Sequence, residues 1–145
     1  ATDEQLRSVA GDGGRYDAEL RPELMRLAIQ EIQGAGIEVD VWKIEGVDDR
    51  EDAARLSEQA RSGEGRSGVV CVLLGRGAST EQVERWLRVA APVDGFIGFA
   101  IGRSIWWDAL KGYLAGDLER HEASAQVAQR YLHFVRIYEH QEALR

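Results

Sequence analysis

The apolar positions change period several times along the chain, and each change marks an element. Arg21-Pro22-Glu23 reads as a helix start, because Pro suits a first helical turn. Behind it Leu24, Leu27, Ala28 and Ile32 recur at helical spacing, with Met25 and Ile29 beside them, until Gly34-Ala35-Gly36. Then comes Val39-Asp40-Val41-Trp42-Lys43-Ile44-Glu45-Gly46, whose β-branched and aromatic residues predict a strand over about 38–44. Asp48 with Glu51 reads as a capping pair opening a helix that carries Ala53, Leu56 and Ala60. A flexible link, Ser62-Gly63-Glu64-Gly65, leads to the apolar run Val69-Val70-Cys71-Val72-Leu73-Leu74. That run predicts a strand over 69–74 covered on both faces, as in a parallel sheet. Ser79 with Gln82 forms a second capping signal, and the helix behind it presents Val83, Trp86, Leu87 and Ala90. Pro92 ends that helix. A third strand is expected over about 95–101, a fourth helix over 104–115 and a last helix over about 119–142. The last helix carries Val127, Tyr131, Phe134, Val135 and Tyr138 on one stripe. Residues 1–21, with Gly11-Asp12-Gly13-Gly14 in the middle, read as a loop with a short helix near 4–9.

Alternation of strands and helices predicts an α/β fold with parallel strands and right-handed crossovers. Lys43, Leu74 and Ile101 close the three strands at intervals of about 30 residues, the βα unit of a (β/α)8 barrel of about 250 residues. Three strands do not close a barrel. The chain is therefore either a small doubly wound sheet or the carboxyl-terminal part of a barrel whose earlier strands are absent. A flavodoxin-like or receiver-like domain fits less well, because it wants five strands and an acidic cluster at the first strand's end.

Composition narrows the function. The length of 145 residues suits one domain, and 44% hydrophobic with 30% charged residues is an ordinary globular balance. The net charge of −7 argues against a nucleic-acid or anionic-membrane surface. No apolar run reaches a membrane span and no signal peptide is evident, so a cytoplasmic location is expected. The single cysteine, Cys71, lies in an apolar strand and is expected to be buried and inert. His121, His133 and His140 have neither zinc nor triad spacing, and read as surface or interface residues. Trp106 and Trp107 read as core, with one of them a possible pocket wall, and Lys111 as a solvated helix residue. The acidic clusters near 48–52 and 117–122 read as helix starts, and no metal site or cofactor is expected.

Against sixteen arginines the chain has two lysines, and one of them, Lys43, stands inside an apolar strand. Arginine does not deprotonate in proteins, whereas a desolvated lysine loses its proton and attacks carbonyls. An ordinary lysine, near 10.4, is largely protonated at neutral pH, so a site using it must depress that value by burial or a neighbouring cation. The plainer alternatives are a lysine that snorkels to water or pairs with Glu45. Alternation puts Val41, Lys43 and Glu45 on one face and Trp42 and Ile44 on the other. Glu45 then either relays protons to Lys43 or is a hydrogen-bonded neighbour. The ends of the next two strands share a design: Leu74-Gly75-Arg76-Gly77, and Gly102-Arg103 after Ile101. Each joins a glycine, a helix amino terminus and an arginine, which together suit an anion. Taken singly, either is also a common turn with a solvated arginine.

These stretches resemble a known family. Tyr16-Asp17 through Arg21-Pro22-Glu23-Leu24, the Val39 to Gly46 strand, Leu74 to Gly77, and Gly98 through Gly102-Arg103-Ser104-Ile105-Trp106-Trp107-Asp108 resemble an aldolase-like domain. That domain is fused behind the 5-dehydro-2-deoxygluconokinase of inositol catabolism in many bacteria. It is related to the class I tagatose-1,6-bisphosphate aldolases, which carry a similar Asp-Val-Leu-Lys-Val-Glu strand and Gly-Arg-Ala-Ile-Trp segment. The resemblance implies a metal-free Schiff-base aldolase, a carbon–carbon lyase on a (β/α)8 TIM barrel. Lys43 matches the imine-forming lysine, and the loops at Leu74, Gly75, Arg76 and Gly77 and at Gly102 and Arg103 match its phosphate loops. It implies cleavage of a phosphorylated keto sugar to dihydroxyacetone phosphate and an aldehyde, malonate semialdehyde in the inositol pathway. Two departures stand out. Arg76 replaces a small residue of the tagatose enzymes, and the family's catalytic glutamate lies on strands before this chain begins. Because the family domain is about twice as long, residues 1–145 are expected to form one truncated, partial barrel domain. Residues 1–21 would be its loop-rich lead-in, and the rest a helix, three βα units and a last helix. Its expected partners are a sugar phosphate and either a second copy or the missing amino-terminal half. A non-catalytic sugar-phosphate-binding module is the alternative function.

Overall fold

A computed structural model of the protein describes residues 3–8 and 11–139. The described elements are α1 (Asp3–Ser8), α2 (Gly13–Arg15), a π-helical segment (Tyr16–Leu20) and α3 (Arg21–Gly34). Then follow β1 (Val41–Glu45), α4 (Arg50–Ala60), β2 (Val70–Leu74), α5 (Thr80–Ala90), β3 (Phe96–Phe99), α6 (Arg103–Ala115) and α7 (Arg120–Glu139). The protein is thus α/β, as the alternation predicts. Each strand is shorter than its apolar run. His140 lies outside the described residues. Among those described, no helix is long and apolar enough to cross a membrane.

The short helix expected near 4–9 is α1, but from Gly13 onward the lead-in is helical, not a loop. Asp12 accepts from the Arg15 N–H at 3.0 Å and starts a helical path that runs unbroken into α3. Pro22 has no N–H to return to Ala18, so the ladder widens there, and Arg21 N–H reaches back five residues to Tyr16 O. The helix expected to begin at Arg21 therefore begins eight residues earlier, at Gly13.

The sheet order is β1-β2-β3, and both pairings are parallel. Lys43 stands opposite Val72, and Glu45 opposite Leu74. The register slips between Cys71 and Val72, so that Val72 pairs with Gly98 and Ile97 bulges out. Ile44, Cys71, Leu73 and Phe96 are buried on one face, with Trp42 and Phe99 packed beside them. The helices supply Ile29, Ala53, Leu56, Val83, Trp86, Leu87, Ile105 and Phe134 to this same core. The other face is largely open. Val41 is 50% exposed and Ile97 62%, Lys43 is exposed, and Val70, Val72 and Leu74 are half-buried. The two-sided cover expected for the second strand is therefore absent among the described residues. A continuous apolar run records only that both faces are apolar, not that each has a partner.

Three local readings change with the tertiary contacts. Asp48 does not cap α4; Asp49 does, accepting from Glu51 and Asp52 N–H, while Asp48 accepts from Trp86 Nε1 at 3.0 Å and Gln82 Nε2 at 2.6 Å. On α3 the buried positions are Arg21, Pro22, Ile29 and Gln33, not the Leu24–Ile32 stripe. Gln33 Nε2 donates to the carbonyls of Gln59 and Ala60, and Gln59 Nε2 donates back to Gln33 Oε1. This amide pair docks α3 on α4 and turns Leu24 and Ala28 toward a cleft beside β1. Trp106 and Trp107 are 37% and 46% exposed, and stand edge to face with each other instead of filling the core. Ser79 caps α5 through Gln82 N–H, as expected, and Val83, Trp86, Leu87 and Ala90 are all buried. On α7 the expected stripe holds in part: Phe134 is buried, whereas Tyr131 is 50% exposed.

Candidate functional site at the carboxyl ends of the strands

Parallel pairing brings the three predicted elements to one edge of the sheet. Gly46 N–H continues the β1–β2 ladder to Leu74 O at 3.3 Å, and Ala100 N–H bonds Leu73 O at 2.7 Å. The two Gly-Arg turns touch. A Cβ on Gly75 would lie 3.5 Å from Ile101, and one on Gly77 would lie 3.0 Å from Arg103 Nη2. Gly77, at φ 77°, thus provides the left-handed turn and also leaves room for the neighbouring guanidinium. Gly102 precedes α6, whose first N–H groups have no carbonyl behind them in the helix. Arg103 is exposed and has no ion pair among the described residues. Lys43 projects from the open face one register step before Glu45 and Leu74, and it too has no ion pair among the described residues. It lines a cleft of about 430 Å³ with Tyr16, Arg21, Leu24, Met25 and Trp42.

Two sequence expectations are corrected here. Lys43 is exposed rather than partly buried, since only the described part of one sheet face stands beside it. Arg76 is not a free anion ligand. Its Nη1 donates to Asp17 Oδ1 at 2.6 Å, and its Nε lies 3.3 Å from Glu45 Oε2. Glu45 therefore pairs with arginines, not with Lys43.

Asp17 and Arg21 are the residues that reading the sequence missed. Arg21 is 3% exposed. Its Nε donates to Asp17 Oδ1 at 2.9 Å and its Nη1 to Gly46 O at 2.7 Å, with Glu45 Oε2 at 3.6 Å. Its guanidinium lies 5.6 Å over the Trp86 ring, the cation–π support that lets a charge stay buried. Its Nη2 is buried with no hydrogen-bond partner. Asp17, Arg21, Glu45 and Arg76 thus close a ring of two acids and two bases. Burial pushes the Asp17 carboxyl up, but the hydrogen bonds and charges of Arg76 and Arg21 outweigh it and hold the group below the usual range. The Asp17 hydrogen bond likewise raises Arg76, against a smaller effect of burial. Among the described residues Arg76 is the one non-glycine with positive φ, at 52°. A left-handed arginine costs about 1–2 kcal/mol, and the ring holds it there. The sequence did carry one hint: Asp17 and Arg21 are four apart, the spacing of a helical ion pair. That hint requires reading 13–21 as helix.

A family described as "Uncharacterized protein conserved in bacteria (DUF2090)" matches residues 14–142. The chain belongs to that family. No curated protein matches the chain. The DUF2090 match opens three residues before Asp17, so all four members of the charge ring, Lys43 and both glycine turns lie inside it.

Away from this edge, Cys71 is fully buried and its thiol is pushed up to about 11, chiefly by burial. His133 Nε2 meets Glu84 Oε1 at 2.7 Å on the outer helices, a structural pair linking α7 to α5. His121 is exposed, and Lys111 pairs with Asp108 at 3.1 Å.

Proposed function

We propose that this chain is the carboxyl-terminal part of a (β/α)8 aldolase domain, in which Lys43 forms an imine with a phosphorylated keto sugar. The observation that carries the reading is the meeting of three strand ends. Lys43 is exposed on the sheet face opposite the buried core, and the turns at 75–77 and 102–103 touch at the carboxyl edge of the same parallel sheet. In barrels that edge holds the active site, phosphate favours the turns of consecutive late strands, and helices cover only the outer face. A bare inner face with helices on the other is what three consecutive units of such a barrel would present.

In this reading the Lys43 amine adds to the substrate carbonyl, a C–N bond forms and water leaves. The protonated imine then takes up the electron pair of the breaking carbon–carbon bond as an enamine, and the hydroxyl proton of the departing half passes to a base as its aldehyde forms. The resemblance places that base on earlier strands. Protonation and hydrolysis of the enamine return Lys43 and release dihydroxyacetone phosphate. Arg103 and the α6 amino terminus would hold the phosphate.

The test is borohydride trapping with dihydroxyacetone phosphate, followed by peptide mass mapping. The expected result is a reduced adduct on Lys43. No adduct there, in protein shown to bind the ligand, would remove the enzymatic reading. One observation favours a second reading: Lys43 is exposed, so the described residues provide little desolvation of its amine. A sugar-phosphate-binding module predicts affinity without turnover, lost in Arg103→Ala and kept in Lys43→Ala.

A further inference from the structure

The members of the charge ring are not equally fixed. Arg21 is held from three sides, by Asp17, by Gly46 O and by the Trp86 ring. The side chains of Asp17, Glu45 and Arg76 are each about a third exposed, at 35%, 36% and 36%. Exchange with solvent or ligand is therefore possible at Arg76, from outside, and not at Arg21. The carboxylate that meets Arg76 at the shorter distance comes from the lead-in segment, whose residues 11–15 are all exposed. Beside it Arg103 has no ion pair among the described residues, and its guanidinium rests against Gly77. An anion seated between the two turns would find Arg103 free and Arg76 engaged.

We infer that Asp17 is a specificity-determining residue of the anion site between the two glycine turns: its carboxylate occupies Arg76 in the place of a ligand phosphate and must be displaced by it. This rests on the phosphate site proposed above. Displacement is inexpensive because Asp17 keeps its bond to Arg21, so no buried charge is left alone. The incoming group must offer Arg76 more than one carboxylate oxygen does. A phosphate dianion, with three terminal oxygens and twice the charge, satisfies that condition, whereas a monocarboxylate exchanges like for like. Release of Arg76 also frees the 12–18 stretch from its tether to the β2 turn, so binding loosens that stretch.

The experiment is titration of inorganic phosphate, and of acetate as the monocarboxylate, into the chain at constant ionic strength. Wild type is compared with Asp17→Asn, Arg76→Gln and Arg103→Ala, with hydrogen exchange read over residues 12–18. Asp17→Asn should bind phosphate about two- to fivefold more tightly, the worth of one half-exposed ion pair. Arg76→Gln should abolish that gain when combined with it. Phosphate, and not acetate, should speed exchange over 12–18 in wild type. If Arg103→Ala loses phosphate while Asp17→Asn binds it no better than wild type, the inference about Asp17 is wrong and the phosphate site stands. If no folded variant binds phosphate, the site itself is gone, and this inference with it. Should Asp17→Asn fail to fold, Arg76→Gln alone decides. It leaves the Asp17–Arg21 bond in place, and unchanged phosphate affinity in it overturns the proposal.

Discussion

Gly46 sits where β1 ends, and its lack of a side chain has a measurable consequence. A Cβ there would lie 2.5 Å from Trp86 Cε3, and closer still to Cγ and Cδ2. These atoms belong to a ring that cannot bend away. Trp86 is 4% exposed, its Nε1 donates to Asp48 at 3.0 Å, and its face carries the Arg21 guanidinium. Gly46→Ala must therefore shift the strand end or evict the indole. Overpacking costs about 1–3 kcal/mol, and loss of the Asp48 hydrogen bond about 1–3 more. Gly46 does not have positive φ, so the alanine recovers about 0.4–1 kcal/mol by stiffening the unfolded chain. The expected net loss is about 1–5 kcal/mol, read as a fall in the urea midpoint at unchanged slope. A double-mutant cycle isolates the cause. In a Trp86→Leu background, where the ring is gone, the same substitution should cost under about 1 kcal/mol. A loss below about 0.5 kcal/mol in wild type, or equal losses in both backgrounds, would refute the steric argument.

Phe134 is 1% exposed and meets Phe99 edge to face at 6.4 Å, so Phe134→Ala should cost about 3–5 kcal/mol in urea unfolding; a cost near that of a surface substitution would detach α7 from the core. Cys71 should resist Ellman's reagent at pH 8 in the native protein and react fully once unfolded, since burial holds its thiol near 11; rapid native labelling contradicts the assigned burial. Asp17 is held below its ordinary value, by Arg76 and Arg21 against burial, and Glu84 by its His133 hydrogen bond, also against burial. Their contribution to stability is complete above about pH 5 and is lost as pH falls through the lower folded values. Urea midpoints should thus decline from about pH 5 downward, less steeply in Asp17→Asn, and equal slopes would remove Asp17 from this account.

What could be read directly from the chain was whatever depends on neighbours a few residues apart. The three strands, the Ser79 cap and the buried face of α5 are local: one period and one cap determine them, and tertiary contacts did not overrule them. The placing of both glycine turns at one edge followed as well, because parallel strands always end together. The tertiary structure decided the rest. Asp17 and Arg76 are 59 residues apart, and no local pattern pairs them. Nor does any local pattern choose Gln33 over Ile32 for the buried side of α3; that choice came from the amides of α4. The openness of the Lys43 face is likewise invisible to periodicity. Alternation says which residues share a face, while only the arrangement of the other elements decides whether anything lies across it.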